Sequence, residues 1–301
     1  MEIVELALSI HKPPVYVRKE IVHNRFVVEE LRQRGAVFVE EITEIPRGSV
    51  TILSAHGVPP SVREETKARN LTVIDATCPL VTKVHTEVRR ALQEGCEIIL
   101  IGHAGHDEVV GTMGEAPERI RLVTCLEDAR NVGIPSPDRL MVLTQTTLST
   151  DDSADIVSTL RGRFPAMRTP AGDDICYATR NRQKAVKALA AVAPVILVMG
   201  SPNSSNSMRL REVAASAGAR AFLINQISEA DWAWIDGADA VGVTAGASAP
   251  ERLVREAVDT IIGRYGGEVE EIETVHENVH FGLPAELDAQ ARPRSARSPA
   301  C

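Results

Sequence analysis

Three times along the chain, at a period near 100 residues, a β-branched strand runs into a polar loop and then a helical pattern. The opening strands are Val15-Tyr-Val-Arg18, Glu97-Ile-Ile-Leu-Ile-Gly-His103 and Val195-Ile-Leu-Val-Met-Gly-Ser201. Their loops are Val22-His-Asn24, His103-Ala-Gly-His106 and Ser201-Pro-Asn-Ser-Ser-Asn-Ser207. A second strand follows in each repeat: Val50-Thr-Ile-Leu-Ser-Ala-His56, Met141-Val-Leu-Thr-Gln-Thr146 and Ala240-Val-Gly-Val-Thr-Ala245. Capping patterns then point to helices, at Ser61-x-x-Glu64, Ser149-x-x-Asp152 and Ser248-x-x-Glu251. Strands alternating with helices at this density predict parallel sheets joined by right-handed crossovers. The repeat therefore predicts an α/β protein of three similar units.

A third strand type ends in cysteine, at Val73-Ile-Asp-Ala-Thr-Cys78 and Asp173-Asp-Ile-Cys176. Pro79 follows Cys78 where a helix takes its first residue, its missing N–H costing nothing there. Val81, Val84, Val88 and Leu92 then recur at helical spacing. A thiol at such a junction feels the positive helix end, which favours thiolate and makes Cys78 a nucleophile or metal-ligand candidate. Small buried cysteines are also common, so the stretch alone leaves both readings open. The repeat adds a constraint, because Cys78 and Cys176 each precede the next opening strand by 19 residues. Counted back from Val15, that spacing falls about four residues before Met1. Glu2 to Ile10, with Ile3, Leu6, Ala7 and Ile10 on one face, reads as the helix that should follow such a cysteine.

Composition narrows the function classes. With 44% hydrophobic and 25% charged residues the chain is a globular type, and its net charge of −8 disfavours a nucleic-acid surface. No apolar run approaches a membrane span, and no basic-then-apolar leader opens the chain. The expected location is cytoplasmic. Five scattered cysteines, at 78, 96, 125, 176 and 301, form no CxxC pairs and read as thiols or ligands.

The loops just past strand ends, where parallel sheets place ligands, carry His23, His56, His106, Ser204, Ser205, Asn206 and Ser248. Singly these have plainer readings: loop histidines, a metal pair at His103 and His106, a capping box at Ser248 and Glu251. Donor-bearing loops at one phase of three repeats are harder to explain by packing.

Eight stretches taken together resemble one family. They are Glu20-Ile-Val-His-Asn24, Ser54-Ala-His-Gly-Val58, Asp75-Ala-Thr-Cys-Pro-Leu-Val-Thr-Lys-Val-His85 and Gly102-His-Ala-Gly-His106, then Thr144-Gln-Thr-Thr-Leu-Ser149, Asp174-Ile-Cys-Tyr-Ala-Thr179, Asn203-Ser-Ser-Asn-Ser207 and Thr244-Ala-Gly-Ala-Ser-Ala-Pro250. The set is similar to that of the 4-hydroxy-3-methylbut-2-enyl diphosphate reductases, over roughly residues 1–285. The resemblance implies a pseudo-threefold arrangement of three α/β units around a central [4Fe–4S] cluster. It implies reductive dehydroxylation of the substrate to isopentenyl and dimethylallyl diphosphate, the last step of the methylerythritol phosphate route. It implies Cys78 and Cys176 as cluster ligands and Glu108 as proton donor. Thr146 would position the substrate hydroxyl or relay the proton. His23, His56, His106, Ser204, Ser205, Asn206 and Ser248 would bind the diphosphate. A ferredoxin or flavodoxin would supply electrons.

The family's third cluster cysteine lies in an N-terminal loop that this sequence lacks, where the repeat also placed a gap. This departure leaves an alternative, a cluster-free or inactive diphosphate-binding homologue. A zinc hydrolase built on Cys78, Cys176 and a histidine is a third class. The expected divisions are 1–77, 78–174 and 175–265 for the units, then a crossing segment and disordered tail over 266–301.

Overall fold

The computed structural model describes residues 1–172, 174–277, 279 and 281–291. Its first part contains α1 (Glu2–His11), β1 (Val15–Arg18), α2 (Arg25–Gln33), β2 (Ala36–Val39), β3 (Val50–Leu53), α3 (Pro60–Ala68) and β4 (Thr72–Asp75). Next come α4 (Pro79–Gln93), β5 (Glu97–Ile101), α5 (Asp107–Met113), β6 (Ile120–Val123), α6 (Leu126–Asn131), β7 (Leu140–Thr144) and α7 (Thr150–Arg163). The last part holds α8 (Tyr177–Ala190), β8 (Val195–Met199), α9 (Ser205–Ser216), β9 (Arg220–Ile224), β10 (Val241–Ala245), α10 (Glu251–Tyr265) and α11 (Ala285–Ala291). The strands form three wholly parallel sheets, ordered β2-β1-β3-β4, β6-β5-β7 and β9-β8-β10. The three opening strands read from the repeat are thus β1, β5 and β8, each flanked by strands on both sides.

The alternation of side chains shows why these strands sit centrally. In β5, Ile98 and Leu100 face α4 while Ile99 and Ile101 face α6 and α7, and all four are buried. In β8, Ile196 and Val198 join one core while Leu197 and Met199 join the other. A strand covered on both faces reads as a continuous apolar run, and each such side chain contributes about 1.5–3 kcal/mol on burial. The flanking strands β2, β6 and β9 were not apparent in the sequence: Arg121 in β6 and Arg220 in β9 break the apolar signal, as an edge position permits.

Three expectations fail locally. Asp174, Ile175 and Cys176 form no strand, and Asp173 lies outside the described residues. The Asp174 carboxylate accepts from the Thr144 backbone N–H (3.2 Å), taking a bond that a neighbouring strand would have made. A single parallel bridge from Arg168 to Met141 stands there instead. Ser61 does not cap α3, because Pro59 and Pro60 start the helix before it. Ser248 does not cap α10, whose N-cap is Pro250. Ser149 does cap α7, its hydroxyl accepting from Asp152 N–H (3.1 Å).

α1 forms as expected, with Val4, Ala7 and Leu8 buried and Ile3, Leu6 and Ile10 packed against them. Leu287 of α11 is buried in the same core, so the chain returns from the third sheet to the first. Residues 292–301, with Cys301 and the expected disordered tail, lie outside the described residues. No helix among the described residues is long and apolar enough to cross a membrane.

Candidate active site

The carboxyl ends of the central strands meet at one place. Cys78 and Cys176 stand there as free thiols at the N-caps of α4 and α8, in matching backbone conformations (φ −57°, ψ 135° and φ −54°, ψ 135°). Each is pinned by its own N–H, Cys78 to the Ala55 carbonyl (3.0 Å) and Cys176 to the Thr146 carbonyl (2.9 Å). Burial pushes the Cys78 thiol above its ordinary pKa, N–H groups of Leu80 and Val81 pull it back in part, and Cys176 and Glu108 raise it further. The helix end therefore does not dominate, contrary to the thiolate expectation. Desolvation outweighs it.

Glu108, in the first turn of α5, is fully buried, and burial raises its pKa to about 7. Thr146 offsets this in part: its N–H donates to Oε1 (2.7 Å) and its hydroxyl to Oε2 (2.9 Å). A carboxyl poised near neutrality can hold or release a proton at working pH. Gln145 organises the same loop, accepting from the His103 N–H (2.9 Å) and donating to the Thr147 hydroxyl (2.9 Å).

His23, His56 and His106 form one ring cluster. The first two stack with centroids 4.2 Å apart, and His106 meets each edge-on at 5.7 Å. Burial lowers the pKa of His56 to about 3 and that of His106 to about 4, so both are neutral. His106 caps α5, its Nδ1 accepting from the Glu108 N–H (3.2 Å), which assigns the proton to Nε2 and leaves that atom a donor. His56 Nδ1 is buried without a partner. Gly57 beside it takes φ +80° and packs so closely that a Cβ would lie 3.0 Å from Val81 and 3.2 Å from His85. His23, His56 and Asp107 each offer one ligand atom within 4.8 Å of the others. Stacked imidazoles have lone pairs in near-parallel planes, however, so His23 and His56 are not aimed at one shared ion.

The third sheet closes the site. Asn203 donates to Glu20 (2.8 Å), which also bonds His23 Nδ1 (3.1 Å), and the Ser248 hydroxyl donates to the His23 carbonyl (3.2 Å). The Ser205 hydroxyl accepts from Thr147 (3.0 Å) and contacts His103 Nδ1 (3.4 Å). Ser204 is occupied as the N-cap of α9, accepting from Ser207 N–H (3.3 Å). Asn206 is buried with both amide atoms unpartnered.

The structure thus gathers Glu108 with Thr146, and the three histidines with one another. It leaves Cys96 and Cys125 elsewhere, the first buried against Arg168, the second exposed at the start of α6. Glu20, Asn203 and Gln145 stood in the quoted stretches but were given no role. Lys19 and Asp107, which pair across the first two sheets, carried no sequence signal beyond lying beside those stretches.

The family model described as LytB protein matches residues 1–262. The 4-hydroxy-3-methylbut-2-enyl diphosphate reductase of Acidothermus cellulolyticus is 54% identical over 295 residues, covering 98% of this chain and 87% of that protein. The protein of the same name from Edwardsiella ictaluri is 54% identical over 291 residues, covering 95% and 92%. Among solved structures, the E-1-hydroxy-2-methyl-but-2-enyl-4-diphosphate reductase of Plasmodium falciparum superposes with a TM-score of 0.94 at 37% identity, covering 96% of this chain and 92% of that one.

Proposed function

The chain belongs to the LytB protein family of 4-hydroxy-3-methylbut-2-enyl diphosphate reductases, and we propose that it carries out their reductive dehydroxylation where Glu108 and Thr146 meet the two thiols. It is an oxidoreductase of isoprenoid biosynthesis. The allylic C–O bond of the substrate breaks, a C–H bond forms, and the hydroxyl leaves as water. Two electrons and two protons enter, giving isopentenyl or dimethylallyl diphosphate.

The observation that carries this reading is the buried Glu108 carboxyl, held by Thr146 on both oxygens with a pKa about 7. An acid with that pKa protonates a departing hydroxyl at neutral pH without being exhausted by solvent. The Thr146 hydroxyl, already on Glu108, positions the substrate oxygen against it. His56 and His106, Asn206 and Ser205 serve the diphosphate. Ser204 and Ser248 shape the pocket through the α9 cap and the His23 carbonyl.

The family's [4Fe–4S] cluster fits the donor set at the two thiols. Cys78 and Cys176 are free thiols, share one backbone geometry, and lie close enough that Cys176 raises the Cys78 pKa. They contribute two of the three thiolates that the resemblance implies. When bound, the cluster supplies the electrons one at a time. A ferredoxin or flavodoxin suits the role of donor, and the four described free cysteines suit the cytoplasm.

The test is anaerobic purification with iron and sulfide assays, then turnover of the substrate with a chemical reductant. Iron and sulfide in equal amounts but below four each per chain, since only two of the three thiolates are present, with the remaining turnover lost in Glu108→Gln, is the expected result. A colourless protein that binds prenyl diphosphates and reduces nothing would replace this reading with the cluster-free one.

A further inference from the structure

Lys19 leaves β1 in the left-handed backbone region, at φ +58°, which is uncommon for a side chain with a Cβ. Its N–H donates to the Val39 carbonyl (2.7 Å), so this turn is tied to the neighbouring strand. The ammonium reaches the Asp107 carboxylate in the first turn of α5, 88 positions away in sequence. Both side chains are largely buried, at 26% and 17% exposed. The Asp107 carboxylate lies within 4.8 Å of ring nitrogens of both His23 and His56. The Lys19 charge accordingly bears on both His56 and His106.

An ammonium beside a helix N-terminus opposes the helix dipole, and Asp107 is what makes the position tenable. Other cations have acidic partners of their own, as Lys19 does, although the buried Nε atoms of Arg18 and Arg209 have no hydrogen-bond partner among the described residues. Arg18 pairs with Glu41 (3.6 Å), Lys83 with Asp174 (3.1 Å), and Arg209 with Asp152 (2.7 Å) and Glu212 (2.8 Å). His56 and His106 are neutral, and a hydrogen bond to an anion is about twice as strong when its donor is itself charged.

We propose that Lys19 is a substrate-binding residue, the cation that engages the diphosphate, with Asp107 holding it in position and competing with the ligand for it. The inference rests on reading this pocket as the diphosphate site. It assigns opposite effects to the two members of one ion pair. Removing Lys19 takes away attraction, whereas neutralising Asp107 removes a rival anion and a repulsive charge.

Calorimetry with inorganic pyrophosphate on the anaerobically purified protein separates the possibilities. Lys19→Met should bind about tenfold more weakly, Lys19→Arg should retain most of the affinity, and Asp107→Asn should bind several-fold more tightly. The same order should appear in KM for the substrate, with kcat changed less. If both Lys19→Met and Asp107→Asn weaken binding alike, the pair is only a brace between units and the proposal falls. Unchanged affinity in Lys19→Met overturns it as well. If the wild-type protein does not bind pyrophosphate at all, the diphosphate reading of the pocket fails first, a result distinct from both. Should Lys19→Met not fold, as judged by its melting curve, Asp107→Asn still decides the sign.

Discussion

Thr146 donates twice to Glu108, through its backbone N–H to Oε1 at 2.7 Å and through its hydroxyl to Oε2 at 2.9 Å. The two residues are 38 apart in sequence and lie at the ends of neighbouring strand-loop segments. Burial drives the carboxyl toward its neutral form and the two donors draw it back, with a balance near pH 7.

Turnover that uses Glu108 as an acid should fall as pH rises through about 7. The hydroxyl of Thr146 lowers that pKa, so Thr146→Val should move the falling limb to higher pH, while Thr146→Ser should leave it in place. A pH-rate profile that Thr146→Val leaves unmoved would remove Thr146 from the proton path. The same shift acts on stability. The folded pKa is above the unfolded value of 4.5, so the contribution is complete below pH 4.5 and is lost as pH rises to 7, a change of about 3 kcal/mol. Glu108→Gln should flatten that window in urea melts.

His56 gives the opposite dependence. Its folded pKa of about 3 lies below the unfolded 6.5, so its contribution is present above pH 6.5 and is lost as pH falls toward 3. Melting temperature should drop across that range in the wild type and drop less in His56→Gln. Equal slopes would contradict the neutral, desolvated ring.

His106 does two jobs that substitution can separate. His106→Ala removes the cap on α5 and should cost about 1 kcal/mol of stability, with a raised KM. His106→Asn supplies another capping side chain and should recover the melting temperature without recovering KM.

Ser207 fills the space between two glycines. A Cβ on Gly246 would sit 2.1 Å from Ser207 Oγ, so Gly246→Ala should destabilise by about 1–3 kcal/mol. Adding Ser207→Ala removes the atom struck and should restore part of the loss. Additive losses in the double variant would locate the strain elsewhere.

Cys78→Ser and Cys176→Ser should each lower iron bound after anaerobic purification at least several-fold, since a hydroxyl at such a site ligates iron poorly. Cys125→Ser, whose thiol is exposed at α6, should retain wild-type iron. Loss of iron in the third variant would mean that the ligand assignment is wrong.

Much of the architecture could be read from the chain because the signals are local. The apolar runs of β5 and β8 mark strands buried on both faces, and their spacing from Cys78 and Cys176 sets the repeat. The strands β6 and β9 are hard to read because Arg121 and Arg220 interrupt their apolar runs, whereas β7 and β10, equally at sheet edges, keep theirs. Ser248 shows how a local rule misleads. Its spacing to Glu251 matches a capping box, but Pro250 takes the cap position and the hydroxyl turns to the His23 carbonyl, 225 residues away.

The sequence by itself determined the parallel α/β repeat, the strand-end loops and the residue types they carry. Periodicity and proline or serine placement act within a few residues, and such short-range constraints can be read along the chain. Only the tertiary structure decided which loops meet. Lys19 finds Asp107 across 88 residues and Asn203 finds Glu20 across 183. Only packing also made Glu108 a carboxyl poised near pH 7 and His56 and His106 neutral rings. Those properties depend on how much water the three sheets exclude where their carboxyl ends converge, and desolvation belongs to the assembled pocket rather than to any one stretch of sequence.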